Sequence, residues 1–126
     1  MSFEATYLGS NGWLINFNKT NLIIDPWLKG DLIFPPGKWF FKGSLENEIA
    51  ISKDINIILL TQGLPDHCHI PTLEMLKKDI PIICPKSAAV ILEKLGFSSI
   101  KILKPSEKTY QNNLSIQATA GAQYHK

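Results

Sequence analysis

Two short runs limit what this chain can fold into. Ile57 to Leu60 and Ile80 to Ile83 are apolar without alternation. At strand length, such a run reads as a strand buried on both faces, the pattern of inner strands in a sheet that carries parallel pairs. A sheet of that kind needs cover on both sides. Each run also leads into a break: Thr61 to Leu73, TQGLPDHCHIPTL, after the first, and Pro85 after the second. The first break gathers two of the three histidines in the chain. A polar loop at the carboxyl end of a buried strand is where α/β sheets commonly place a site.

The rest of the chain supplies elements consistent with such a sheet. Phe3 to Gly9, Trp13 to Phe17 and Leu22 to Asp25 are strand-like, separated by Ser10-Asn11-Gly12 and Asn18-Lys19-Thr20-Asn21, so an antiparallel meander is expected. Pro26 ends it, because it cannot donate to a ladder. Pro71 suits a first helical position, and Leu73 with Leu76 starts an apolar stripe, which predicts a helix at about 71 to 79. A second helix is expected from Ser87 to Leu95, closed by Gly96, then a strand at Ser99 to Leu103 and a hairpin around Gln111-Asn112-Asn113. Residues 28 to 50 read least clearly. Phe34, Trp39, Phe40 and Phe41 crowd around Pro35-Pro36-Gly37, either to cover something or to line a pocket, and Ser44 to Ile51 has short-helix character.

Composition excludes several classes. With 126 residues the expectation is one domain, 1–126, able to build a core. A net charge of +2 gives no argument for nucleic acid, and no apolar stretch approaches the ~18 residues of a membrane helix. The start has no signal-peptide pattern, and two cysteines are too few for a disulfide scaffold, so a cytoplasmic protein with reduced thiols is expected.

The loop offers metal-ligand chemistry. Asp66, His67 and His69 are oxygen and nitrogen donors of the types zinc takes, and a catalytic site needs about three from the protein. In an extended loop His67 and His69 would share a side, with Cys68 on the other. Leu64 can bind nothing and Gln62 is a poor zinc ligand. The bland alternatives are Asp66 as a loop-ordering carboxylate, the two histidines as its polar partners, and Asp25 before Pro26 as a turn starter. Cys68 and Cys84 read as small buried hydrophobes, with a thiol enzyme using Cys68 beside His67 or His69 as the remote alternative. His125 lies too near the terminus to be placed as a ligand.

The order of elements, with Leu-Ile-Ile-Asp25-Pro26-Trp27 closing the meander and a buried strand running through Thr61 into Asp66-His67, resembles the metallo-β-lactamase superfamily. It is most similar to the lactonase-like and phospholipase-D-like metal-dependent hydrolases. The resemblance implies half of an αββα sandwich, with a mixed sheet and helices on one face, and covers the amino-terminal half of a family domain. The family loop reads Thr-His-x-His-x-Asp-His, and here Gln62 and Leu64 stand where its first two histidines would be; only Asp66 and His67 match. The resemblance gives Asp66 and His67 a metal-binding role; with His69 added from ligand type and spacing, the expectation is one divalent metal, zinc ahead of manganese or iron, held weakly by Asp66, His67 and His69, with Asp66 as candidate base. An ester, lactone or phosphoester substrate is implied, with poor turnover. The competing reading is a non-catalytic homodimeric module, since two helices cover one face of the sheet and a second copy could cover the other. The rival cover is the Phe34 to Phe41 segment.

Overall fold

The computed structural model describes residues 2–33, 42–44 and 54–120. The aromatic segment Phe34 to Phe41, the remainder of the Ser44 to Ile51 stretch and His125 lie outside the described residues. Strands β1 (Phe3–Gly9), β2 (Gly12–Phe17) and β3 (Thr20–Ile24) form the expected meander. Its turns place Ser10, Asn18 and Lys19 at positive φ, 48°, 48° and 68°, and of these Asn18 accepts the left-handed region most readily. A separate short antiparallel pair, β4 (Asp31–Ile33) with β5 (Lys42–Ser44), follows. Ser44 therefore belongs to a strand.

From β3 the sheet changes direction. β6 (Ile57–Leu59) pairs parallel with β3, β7 (Ile82–Cys84) with β6, and β8 (Ile100–Ile102) with β7. The sheet of six strands has the order β1-β2-β3-β6-β7-β8 and is mixed, as the two apolar runs imply. A hairpin of β9 (Lys108–Gln111) and β10 (Leu114–Gln117) turns on Asn112 and Asn113, both left-handed at φ 51° and 65°. No described helix is long and apolar enough to cross a membrane.

Two helices pack on one face. α2 (Lys86–Leu95) buries Ala88, Ala89 and Leu92 and ends at Gly96, whose φ of 95° supplies the left-handed cap read from the sequence. α1 spans only Ile70–Glu74, shorter than the 71 to 79 expected. Leu73 is fully buried, and Leu76 still packs against this core although it lies beyond the helix. The freed carbonyls are collected by one side chain. Lys78 Nζ donates to the carbonyls of Leu73, Glu74 and Leu76 at 3.1, 2.9 and 2.7 Å, and sits 5.0 Å from the centre of the Phe97 ring.

The faces are unequally filled. Leu14, Ile23, Ile58, Ile82, Leu73 and Leu92 belong to the large cluster under the helices. On the other face Leu22, Ile57, Ile83 and Leu103 are buried, with Leu114 and Ile116 of the hairpin packed against them. The hairpin thus gives this face cover that the sequence did not suggest.

Replacing Lys78 by Met keeps the stem on Phe97 but leaves the end of α1 without its donor. The expected cost is roughly 1–2 kcal/mol, since bonds from a charged donor exceed neutral ones. Urea unfolding of Lys78→Met at neutral pH measures it.

Candidate functional site

Parallel pairing of β3 and β6 aligns their carboxyl ends, with Ile24 opposite Leu59. Asp25, the next residue after Ile24, and Thr61, two residues after Leu59, are thereby brought together. Asp25 has φ 42°, a left-handed conformation that Asp accepts more readily than most residues, and its N–H bonds the carbonyl of Leu59 at 3.0 Å. Its carboxylate is 3% exposed. It accepts the Thr61 N–H at 2.8 Å and the Thr61 hydroxyl at 2.5 Å, and lies 2.7 Å from His67 Nδ1. A buried carboxylate needs this many donors to offset its desolvation.

The loop reaches this pair by turning. The N–H groups of His67 and Cys68 both bond the carbonyl of Leu64, at 2.9 and 2.7 Å, so the segment is a tight turn. At Gly63 the loop presses on α2: a Cβ there would lie 2.7 Å from the carbonyl oxygen of Ser87, which only glycine avoids.

The turn separates the two histidines. His67 faces Asp25 and Asp66. His69 is 4% exposed, with Nδ1 2.8 Å from the Thr72 hydroxyl and its ring edge-on to Trp27 at 6.5 Å. Thr72 accepts the Leu28 N–H at 2.9 Å, so its own hydrogen is available to His69. The same-side histidine pair expected of an extended loop therefore does not form, because alternation holds only where the backbone is extended. Among the described residues no group of three or more His, Cys, Asp and Glu side chains is placed to hold a metal ion. Of the ligand set Asp66, His67 and His69, the structure brings together the first two.

Their arrangement is chemically pointed. In the neutral tautomer that donates Nδ1–H to Asp25, the Nε2 of His67 carries a lone pair. That Nε2 lies 3.4 Å from Asp66 Oδ2, so two acceptors face one another. The Asn11 amide moderates this: its Nδ2 donates to Asp66 Oδ2 and to the Asp66 carbonyl, each at 3.2 Å, and lies 3.5 Å from His67 Nε2. Asp66 Oδ1 is buried with no hydrogen-bond partner among the described residues. A proton on Nε2 or a cation would relieve the contact, and a carboxylate behind the distal ring nitrogen is the usual support for a metal-binding histidine. Asp66 and His67 fit as two donors of a metal site.

Asn11, Thr61 and Asp25 were not legible as site residues. Asn11 sits in a turn whose composition explains itself, and only the β1-β2 hairpin's place above the loop gives it a second task. Burial, the largest cause, raises both cysteine thiols to about 11, and for Cys68 the proximity of Cys84 and Asp25 adds to it, which disfavours the thiolate a nucleophile needs.

The beta-lactamase superfamily domain matches residues 4–126, and the chain belongs to that family. A search of curated proteins finds no match. Among solved structures, a possible metal-dependent hydrolase from Veillonella parvula is 16% identical with a TM-score of 0.66, over 91% of this chain and 46% of that one. A metallo hydrolase from the archaeon Ignicoccus hospitalis is 17% identical, TM-score 0.61, over 88% and 43%. A diiron β-hydroxylase from Streptomyces venezuelae is 20% identical, TM-score 0.59, over 85% and 22%. At these identities the likeness is one of fold, and the chain spans less than half the length of each.

Removing the Asp25 carboxylate should leave the Thr61 N–H and His67 Nδ1 without their acceptor. Asp25→Ala is expected to lose about 2–3 kcal/mol in urea unfolding. The His67 ring should at the same time stop favouring the Nδ1–H tautomer, which nitrogen-15 NMR of the imidazole reads directly.

Proposed function

We propose that this chain is a metal-dependent hydrolase-like half-domain in which Asp66 and His67 are the metal donors and Asp25 and Thr61 hold His67 in place. The observation that carries this reading is the unpartnered, buried Asp66 Oδ1 beside a ring nitrogen 3.4 Å from the same carboxylate. A divalent metal bound there would polarise an ester, lactone or phosphoester and lower the pKa of a bound water. The protein's own part is to present two donors, keep the ring in one tautomer, and hold the loop against α2. His69, committed to Thr72 and Trp27, is left out of the ligand set. Gln62 and Leu64 supply none of the histidine ligands found at those places in the family loop, so one weak site is expected and little turnover from these residues alone. The nearest chemistry is that of zinc, with manganese or iron as substitutes.

Zinc binding to the folded state at a hundred times its Kd should stabilise it by about 2.7 kcal/mol, and His67→Ala should abolish the gain. Thermal melts with and without zinc, backed by elemental analysis, check this. An unchanged melting temperature and metal-free protein would end the proposal, as would ester or lactone turnover that survives His67→Ala.

The sheet suggests a second, compatible role in assembly. Phe3, Tyr7 and Trp13 are 65%, 58% and 40% exposed on the face away from the helices, and they form ring pairs Phe3 with Phe17 and Tyr7 with Trp13. A row of this kind is the sort of surface a second copy covers. Light scattering at micromolar concentration should give twice the chain mass of 14.1 kDa, falling to the single mass in Trp13→Lys. A wild-type mass of one chain rejects the homodimer.

A further inference from the structure

Asn11 sits in the turn between β1 and β2, and that turn is held close to the site. A Cβ on Gly12 would come within 3.2 Å of the Asp25 carbonyl oxygen, and the Tyr7 hydroxyl donates to the Ser10 carbonyl at 2.8 Å. Three acceptors converge on the Asn11 amide nitrogen: the Asp66 carbonyl and Asp66 Oδ2, each at 3.2 Å, and His67 Nε2 at 3.5 Å. An amide nitrogen carries two hydrogens, so acceptors outnumber donors here. Asp66 Oδ1, buried without a partner among the described residues, adds to the excess. A cation would answer it.

The spacing is that of a coordination face. Asn11 Nδ2, Asp66 Oδ2 and His67 Nε2 form a triangle with edges of 3.2, 3.4 and 3.5 Å. A tetrahedral zinc with bonds of about 2.0–2.2 Å has ligand-to-ligand edges of about 3.3–3.6 Å. A six-coordinate magnesium, at about 2.0–2.1 Å, would need edges of only about 2.8–3.0 Å. The oxygen and nitrogen of an amide are interchangeable in place, so a half-turn about the Cβ–Cγ bond puts Oδ1 at the corner that Nδ2 takes.

We infer that Asn11 is the third donor of the metal site, ligating through Oδ1, and that with Asp66 and His67 it makes one face of a four-coordinate ion. This role rests on the reading of Asp66 and His67 as metal donors. Without metal the amide nitrogen satisfies the carboxylate and the ring; with metal the amide oxygen joins them. A neutral third donor leaves the site weaker than a third histidine or carboxylate would.

Isothermal calorimetry with zinc on the intact, chelator-stripped chain tests it, beside visible spectra with cobalt(II). Asn11→Leu should weaken zinc by roughly tenfold or more, at least the loss that removing an outer partner of a metal ligand brings. A hydrogen-bonding prop alone would release Asp66 and His67 when removed, so equal or tighter zinc binding by Asn11→Leu overturns the inference. Asn11→Asp should bind zinc about tenfold more tightly, because a carboxylate replaces a neutral oxygen, yet unfold at lower urea in EDTA, where it faces Asp66. Unchanged or weaker zinc binding by Asn11→Asp overturns it too. Wild-type cobalt spectra should show the intense bands of four-coordination, and the weak bands of six-coordination count against it. If Asn11→Leu does not fold, Asn11→Asp and the cobalt spectra decide. Zinc binding that is lost in His67→Ala but kept in Asn11→Leu sinks this role alone, whereas a wild-type chain that takes up no zinc sinks the metal-donor reading with it.

Discussion

The parallel ladder between Leu22–Ile24 and Ile57–Leu59 is the constraint on which the site depends. Those segments are separated in sequence by the stretch that the described residues only partly cover, so their pairing carries a loop-closure cost that the local hairpins do not. Burial on both sides offsets it: Ile23 and Ile58 are closed under the helices, while Leu22 and Ile57 are closed under the hairpin. Without that ladder Asp25 would have no fixed relation to Thr61, and His67 would have nothing to orient it. The site is therefore a consequence of sheet packing before it is a feature of the loop.

Much of the frame could be read from residue types. The unbroken run at Ile57 to Leu60 marks an inner strand, Asn-rich turns mark hairpins, and Gly96 marks a helix end, because each is a local preference acting over a few residues. Beta-lactamase superfamily membership was legible from the order of those elements and from Asp25-Pro26-Trp27 followed by Asp66-His67. Other features were set by contacts between distant segments. The length of α1 depends on Lys78 collecting its carbonyls, and the placement of His69 depends on Thr72 and Trp27. Spacing suggested His67 and His69 as a pair, yet spacing carries a direction only once the backbone is known to be extended. The bonds from His67 and Cys68 back to Leu64 make it a turn.

The same turn explains why one histidine faces the site and the other the core. His69 spans α1 and the Asp-Pro-Trp segment: Thr72 accepts from Leu28 and contacts His69, and Trp27 packs on the ring and bonds Gly30 through its indole nitrogen. A residue used this way is costly to free, since turning it outward would leave a buried hydroxyl unsatisfied and strip an aromatic contact. His67 has the opposite arrangement. Its inner nitrogen is tied to Asp25, and its outer nitrogen lies 3.4 Å from the Asp66 carboxylate and 3.5 Å from the Asn11 amide nitrogen.

That difference ties the loop's chemistry to the unequal faces of the sheet. The face under α1 and α2 is filled, and it is there that Cys68 and Leu73 anchor the loop from below. On the opposite face, among the described residues, β9 and β10 pack on Leu22, Ile57, Ile83 and Leu103, while Phe3, Tyr7 and Trp13 of β1 and β2 are exposed. The packing under α1 and α2, where Gly63 lies against Ser87 and Cys68 and Leu73 are buried, is what keeps His67 in register with Asp25 and Asp66.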